Sequence, residues 1–365
     1  MNNNCFYYHA GQKWYTKYDA IKSTIKSTDE DEPLCFFYYD DFFTAQNWLQ
    51  EPESSLAELY KNRALEIRNQ YEYVVLAYSG GIDSTNMLET FYYNNIHIDE
   101  ILMVGAFSRD SSFGSDENHN AELYFNCFET LKKLHLPKTK ITVLDSSINM
   151  DQLSLVLDSE WYKNIGVGYS FHHWFWYDIH TRYESIKNTG IIFAIDKPYV
   201  RVSELDDQYS FFCRFVDKGL CQYGFTMDRY NNTVTNNAER VNFYWYPNST
   251  CFQIMCKQAY VIQRFFHTYV GEDKLISLAE FKKNQSEKIP AQVAYNIKHK
   301  LKFISPKTTS TLFSFRDKFF QKDDKLLELD IFKNYARGII RMIDDDQLKR
   351  FIDPIFSRKY FIKSV

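Results

Sequence analysis

A buried strand that ends at paired glycines is the feature that most constrains the fold of this chain. Residues 73–78 form a continuous β-branched and aromatic run, which is typical of a strand buried on both faces. Ser79-Gly80-Gly81 stop this run, and the apolar spacing of residues 83–94 predicts a helix directly after them. A buried strand that passes into a helix through a tight turn indicates the start of a βαβ unit.

The same alternation of strands and helices continues along the chain. Further strand-like runs lie at 98–106, 141–144 and 190–195, and helical patterns lie at 118–134, 150–164 and 174–188. Such repetition predicts an α/β fold with a parallel sheet and right-handed crossovers. The alternation fades after about Tyr199, where the pattern predicts a strand-poor, mainly helical region that includes residues 250–270. We therefore predict an N-terminal extension (1–60), a core (61–200) and a mainly helical C-terminal region (201–365).

The composition argues against several classes of protein. The chain of 365 residues carries 43 Lys and Arg against 47 Asp and Glu, so it lacks an overall basic charge for nucleic acid. No run approaches the roughly 20 apolar residues of a membrane helix, and the N-terminus does not read as a signal peptide. Seven cysteines without a CxxC pair argue against a disulfide framework or a cysteine zinc site. We therefore expect a cytoplasmic protein with no membrane partner.

The paired glycines belong to a seven-residue motif, SGGIDST (residues 79–85), with the composition of an anion-binding loop. Glycine lets the backbone approach a ligand, and the amide groups at a helix N-terminus attract negative charge. Ser79, Ser84 and Thr85 add hydroxyl donors. Asp83 has the wrong charge to bind phosphate directly, but it fits if Mg²⁺ bridges the two. The alternative is an ordinary junction of strand and helix, in which Ser and Asp act as caps.

The SGGIDST motif resembles the PP-loop of the ATP-pyrophosphatase superfamily, and the chain is closest in kind to the synthetase domain of asparagine synthetase. The resemblance is strong over the motif and looser, through the order of elements, over residues 70–200. It implies a parallel-sheet core of the adenine nucleotide alpha-hydrolase-like (HUP-type) kind. It also implies that ATP and Mg²⁺ are bound, and that the ATP phosphates are held by Ser79, Gly80, Gly81, Ser84 and Thr85, with Asp83 taking part through Mg²⁺.

The chemistry that this resemblance implies is cleavage of ATP between its α and β phosphates. A substrate oxygen attacks the α-phosphorus, pyrophosphate leaves, and a nitrogen or sulfur nucleophile then displaces AMP. The charge that develops on the pyrophosphate is met by amides, Mg²⁺ and a cation, so Asp83 is implied as a metal ligand and catalytic residue. We expect Gly81→Val to prevent ATP binding, because a branched side chain would cover the loop and resist a positive φ.

The resemblance implies site residues in two further segments, each of which lies at the end of a predicted strand. Val104, Gly105 and Ala106 end the second strand and are expected to lie against the adenine and ribose, with a plain core strand as the alternative. Asp196 and Lys197 follow the fourth strand, and the alternative for them is a surface turn before a proline. Asp196 is expected to be a second Mg²⁺ ligand and Lys197 the catalytic cation. Asparagine-synthetase-like members carry a glycine- and acid-rich loop here, and this sequence departs from it.

The leading prediction is an adenylating ligase that activates a small-molecule carboxylate or amide acceptor for attack by ammonia or an amine. Asn2 stands where glutamine-dependent asparagine synthetases have a catalytic cysteine. The 78 residues before Ser79 are too few for a glutaminase domain. Residues 201–365 are then a candidate for the part that binds the acceptor. The helix at 250–270, which carries Lys257 and Gln258, is a candidate wall of the site, with aromatic core as the alternative.

Two other functions remain open. Residues 271–365 contain 20 Lys and Arg against 13 Asp and Glu, which suits a tRNA- or nucleobase-modifying adenylase that resembles lysidine synthetase. Because acids are interspersed throughout, a solvated helical surface explains the same charges, and nucleic acid is not the favoured partner. The third candidate is a catalytically silent nucleotide-binding protein of the same fold. The intact SGGIDST motif argues against this candidate.

Overall fold

The computed structural model describes residues 5–15, 17–26, 33–105, 123–145, 182–183, 186, 188–194, 199–205, 208–215, 217, 238–242, 248–270 and 355–364. The strands are β1 (Cys5–His9), β2 (Gln12–Trp14), β3 (Cys35–Tyr38), β4 (Tyr73–Ala77), β5 (Glu100–Gly105), β6 (Lys140–Asp145), β7 (Thr189–Phe193), β8 (Tyr199–Leu205), β9 (Gln208–Arg214), β10 (Ala238–Asn242) and β11 (Tyr360–Ser364). The helices are α1 (Lys17–Lys26), α2 (Asp40–Thr44), α3 (Leu56–Gln70), α4 (Ile82–Tyr93), α5 (Glu129–Leu131) and α6 (Ser249–Val270), and a π-helical turn (Leu123–Phe128) precedes α5.

Five parallel strands form the central sheet, in the order β10-β7-β4-β5-β6. The chain runs outward from β4 through β5 to β6, and it then returns to the other side of β4 as β7 and β10. Val75 lies beside Ile191 and Leu76 beside Ile192, so β4 and β7 reach the same edge of the sheet. The predicted α/β fold with a parallel sheet is therefore confirmed.

Both faces of this sheet are covered by apolar side chains, as the continuous apolar run of β4 predicts. Val74 and Leu76 belong to the large core that includes α3 and α4. Val75 and Ala77 belong to a second buried cluster with Leu102 of β5, because side chains alternate between the two faces of a strand. Burial on both faces leaves the edge at the carboxyl ends of the strands as the place where polar loops emerge.

Helix α6 confirms the helical pattern at 250–270 and packs against α3. Its apolar side includes Ile254, Met255 and Ala259, which are fully buried in the large core. In the part of the chain that the structure describes, no helix combines the length and the apolar character that crossing a bilayer requires. A helix that lies far along the chain from β4 thus contributes buried side chains to the same core.

The prediction of a strand-poor region after about Tyr199 is wrong for the described residues. The strands β8, β9 and β11 form an antiparallel sheet, and β10 pairs with β7 as the fifth strand of the central sheet. The sequence of β10, Ala-Glu-Arg-Val-Asn, lacks the apolar run of a buried parallel strand. The backbone of β10 pairs with that of β7. No local sequence pattern predicts this pairing.

The N-terminal residues form a small antiparallel sheet, β2-β1-β3, that is held to the C-terminal end of the chain. The amide of Phe36 donates to the carbonyl of Phe356 at 3.3 Å. The hydroxyl of Tyr360 donates to Asp40 at 3.2 Å. Asp40 is the first residue of helix α2. These bonds join β3 and α2, near the start of the chain, to residues 356–360 near its C-terminal end.

Candidate functional site

The SGGIDST motif lies at the carboxyl end of β4, the middle strand of the sheet. β4 ends at Ala77, and α4 begins at Ile82 with Gly81 as its N-cap residue. The amide of Tyr78 donates to the carbonyl of Leu102 at 2.8 Å, which fixes the exit of the loop beside β5. The loop therefore starts from a rigid platform rather than from a free segment.

The two glycines of the motif have different structural roles. Gly80 has a φ of +73° and is buried, and a Cβ placed on it would lie 2.8 Å from both Asn126 Cβ and Cys127 Sγ of the π-helical turn. Gly81 has a φ of −71° and is exposed, and among the described residues a Cβ there would come within 4 Å only of Ser79 Oγ, at 3.4 Å. The positive φ expected at Gly81 thus belongs to Gly80, and the backbone itself permits a side chain at Gly81.

The hydroxyl groups of the motif mostly hold the loop together. Ser84 Oγ donates to the carbonyl of Gly81 at 3.2 Å, accepts from the amide of Ser79 at 3.3 Å, and lies 3.1 Å from Ser79 Oγ. Thr85 Oγ1 is buried and lies 3.2 Å from the hydroxyl of Tyr78. Burial raises the pKa of Tyr78 to about 12, so this hydroxyl stays protonated. Ser79 is the exposed hydroxyl of the loop.

Helix α4 starts without a side-chain cap. Helix α3 shows the usual solution, because Ser55 accepts from the amide of Glu58 and the Glu58 carboxylate accepts from the amide of Ser55. At α4 the N-cap residue is Gly81, which has no side chain to offer. The first amide groups of a helix lack intrahelical acceptors, and together with the helix dipole they favour a bound anion. The start of α4 therefore suits a phosphate group.

Asp83 supplies a carboxylate in the first turn of α4, where it is half-buried. Within the described residues there is no group of three or more His, Cys, Asp and Glu that could hold a metal ion by itself. Mg²⁺ commonly takes only one or two protein carboxylates and fills its other positions with phosphate oxygens and water. A single carboxylate beside an uncapped helix start thus fits a Mg²⁺ ion that arrives with a nucleotide.

The loop also occupies the point at which the strand order reverses. The chain leaves β4 toward β5 on one side and comes back to β7 on the other side. Ligands of open α/β sheets bind outside the carboxyl ends of the strands at such a switch point. Comparisons with protein-family models, with curated proteins and with solved structures find no significant match to this chain. What the site can do is therefore argued from its own geometry.

The structure describes some of the other site residues that the resemblance implies. Val104 is buried in the second apolar cluster, and Gly105 is the last residue of β5 and is also buried. Ala106, Asp196 and Lys197 lie outside the described residues. β7, the strand that precedes Asp196, ends beside β4. The roles of Ala106, Asp196 and Lys197 stay predictions.

Several residues that shape the site were missed by the sequence analysis. Asn126 and Cys127 support Gly80 from the π-helical turn, and Cys127 Sγ lies 3.9 Å from the carbonyl of Tyr78. Burial raises the pKa of Tyr60 on α3, and the charge of Asp83 raises it further. Tyr60 and Cys127 belong to the large core, and Asn126 is a polar residue with no motif around it, so no local signal marks these residues as part of the site.

The two glycines provide a matched pair of substitutions. Gly80→Ala should lower the free energy of unfolding by more than the about 1–2 kcal/mol of a left-handed backbone, because Asn126 and Cys127 leave no room for a methyl group. Gly81→Ala should leave stability nearly unchanged and weaken ATP binding, since it adds a methyl group to the exposed N-cap residue beside the first amides of α4. Urea unfolding and calorimetry with ATP measure the two effects. Equal losses of stability would contradict the assignment.

Proposed function

We propose that this protein is an ATP-dependent adenylating ligase that releases AMP and pyrophosphate. In this proposal the core is a HUP-type nucleotide-binding sheet, and the acceptor is a small-molecule carboxylate or amide that ammonia or an amine attacks. The observation that carries the proposal is the position of the SGGIDST loop. It follows the middle strand of a five-stranded parallel sheet at the switch point between β4 and β7.

The residues of the loop have distinct roles in this proposal. The amides of Gly81 and of the first turn of α4 bind the β and γ phosphates, where charge increases as pyrophosphate leaves. Ser79 adds an exposed hydroxyl donor. Asp83 would hold a Mg²⁺ ion, which supplies charge neutralisation on the phosphates when it is bound. Gly80, Ser84 and Thr85 keep the loop in the shape that presents these groups.

Lys197 and Asp196 complete the proposal at the neighbouring strand. Both follow β7, which is parallel to β4 and in register with it. A lysine there would act as a compact positive charge toward the leaving pyrophosphate, and an aspartate would add a second carboxylate for Mg²⁺. These two roles rest on the order of the strands and on the resemblance of the motif.

The test is pyrophosphate release from ATP and Mg²⁺ over a panel of acceptors. The panel contains free amino acids, other small carboxylates, tRNA and nucleobases, each with ammonia present. Release that depends on a small carboxylate or amide supports the leading proposal. Release that depends on tRNA supports the nucleic-acid alternative instead. In that case the affinity of the protein for tRNA should fall steeply as the salt concentration rises. ATP binding without release under any condition indicates the catalytically silent alternative.

A further inference from the structure

Tyr78 joins the end of β4 to three other elements of the structure. Its amide donates to the carbonyl of Leu102 on β5 at 2.8 Å. Its carbonyl accepts from Sγ of Cys127 in the π-helical turn at 3.9 Å, which is a weak hydrogen bond because a thiol is a poor donor. Its hydroxyl lies 3.2 Å from Oγ1 of Thr85 on α4. The chain therefore enters the SGGIDST loop from a residue that is held at its amide, its carbonyl and its side chain.

The contact of Tyr78 with Thr85 connects the two ends of the loop. Tyr78 directly precedes the SGGIDST motif, Thr85 is the last residue of the motif, and both side chains are buried. The amide of Thr85 donates to the carbonyl of Gly81 at 2.9 Å, which closes the first turn of α4. The end of the strand is thus joined to the first turn of the helix by side chains as well as by the backbone.

The hydroxyl of Tyr78 can be tested separately from the packing of its ring. The ring belongs to the large core, and a phenyl ring would fill the same volume. Burial raises the pKa of Tyr78 to about 12, and hydrogen bonds with Thr130 and Thr85 oppose this rise. The phenol is therefore protonated at neutral pH, and its oxygen can both donate and accept. Tyr78→Phe removes these hydrogen bonds and keeps the packing.

We propose that Tyr78 is a positioning residue, which through its hydrogen bond with Thr85 holds the first amides of α4 in the arrangement that binds the ATP phosphates. The inference rests on the proposed function. A site whose donors are already in place loses less conformational freedom when the ligand binds. Without the Tyr78 hydroxyl the loop keeps its inner contacts, such as that of Ser84 with the carbonyl of Gly81. It loses the side-chain contact between Tyr78 and α4.

The test compares Tyr78→Phe, Thr85→Val, their double variant and Thr85→Ser. Binding of α,β-methylene-ATP, which is not cleaved between its α and β phosphates, is measured by calorimetry with Mg²⁺ present. Tyr78→Phe and Thr85→Val should each weaken binding about threefold to tenfold, the range expected for one hydrogen bond between uncharged groups. The double variant should be no worse than either single variant, because both remove the same contact. Thr85→Ser keeps the hydroxyl and should bind like the wild type.

Tyr73→Phe is the matched control for removal of a tyrosine hydroxyl. Tyr73 is the first residue of β4, and its hydroxyl donates to Oε2 of Glu100 at 3.0 Å. This contact lies at the amino end of the strand, whereas the loop follows the carboxyl end. Because Glu100 is completely buried, the control should lose stability in urea unfolding. Its affinity for the analogue should equal that of the wild type.

Hydrogen exchange without nucleotide tests the order of the loop directly. Backbone amides exchange faster when a segment opens more often. A peptide that covers residues 79–85 should therefore exchange faster in Tyr78→Phe than in the wild type or in Tyr73→Phe. This measurement does not depend on ATP binding.

Three results would contradict the positioning role while the proposed function stands. In the first, the wild type binds the analogue and Tyr78→Phe binds it as tightly as Tyr73→Phe. In the second, Tyr78→Phe weakens binding by the same factor in the Thr85→Val background as in the wild type, so that its effect does not act through Thr85. In the third, residues 79–85 exchange equally fast in Tyr78→Phe and Tyr73→Phe. If the wild type binds no analogue at any Mg²⁺ concentration, the proposed function fails and the inference fails with it.

Discussion

Asp83→Asn is expected to lower the rate of pyrophosphate release by about a thousandfold or more, which corresponds to roughly 4 kcal/mol of transition-state stabilisation. The substitution is nearly isosteric, and Asp83 is only half-buried at the start of α4. The melting temperature should therefore change little. The loss arises because the amide is a poor ligand for Mg²⁺, so that charge on the leaving pyrophosphate is no longer neutralised. Single-turnover assays at saturating ATP measure it.

Glu129→Gln is the control for this substitution. Glu129 is another acid near the loop, on α5 behind the π-helical turn, and it forms an exposed pair with Lys132 at 2.7 Å. An exposed pair of this kind contributes little to stability, so this variant should release pyrophosphate like the wild type. Wild-type rates in Asp83→Asn would remove Asp83 from the mechanism. Equal losses in both variants would point to a general effect of negative charge.

Lys17→Met should destabilise the folded protein by about 3–5 kcal/mol, the cost of leaving a buried charge without its partner. Lys17 Nζ lies 3.0 Å from Asp217 Oδ2, and both side chains are completely buried. The hydroxyl of Tyr7 and the amide of Ile355 also donate to Asp217 at 3.0 Å. Burial raises the pKa of Asp217, and the charge of Lys17 lowers it. The effect is measured by urea unfolding at neutral pH.

A second variant separates loss of charge balance from loss of packing. Lys17→Met combined with Asp217→Asn removes both charges and keeps an oxygen that accepts from the amide of Ile355. This double variant should be more stable than Lys17→Met alone and less stable than the wild type. If the double variant were the least stable of the three proteins, packing rather than the unpaired charge would explain the loss.

The parts of the fold that depend on local pattern were predictable. The strand at residues 73–77 and the helix at 82–93 agree with the predicted segments to within a residue or so at each end. Ser55, directly before α3, is the N-cap residue of that helix, as expected of a serine followed three residues later by a glutamate. These features follow from apolar spacing, from capping chemistry and from glycine, which act over a few residues.

Some features of the candidate site were likewise predictable from the sequence, and others were not. The SGGIDST motif and its place after a buried strand were evident in the sequence, but the roles of its two glycines were not. Gly80 is the constrained position because Asn126 and Cys127 lie against it, and those residues are distant in sequence. The contact of Tyr60 with Gln258 likewise joins helices that no local pattern connects.

The sequence by itself determined the α/β class and the position of the SGGIDST loop at the end of a buried strand. Steric preferences and burial periodicity are local properties, so each segment carries them in its own residues. Only the tertiary structure decided that β4 is the middle strand and that β10 is the fifth strand. It also joined Lys17 to Asp217 in the core. These pairings depend on backbone and charge partners far along the chain, which become neighbours only after the sheet has assembled.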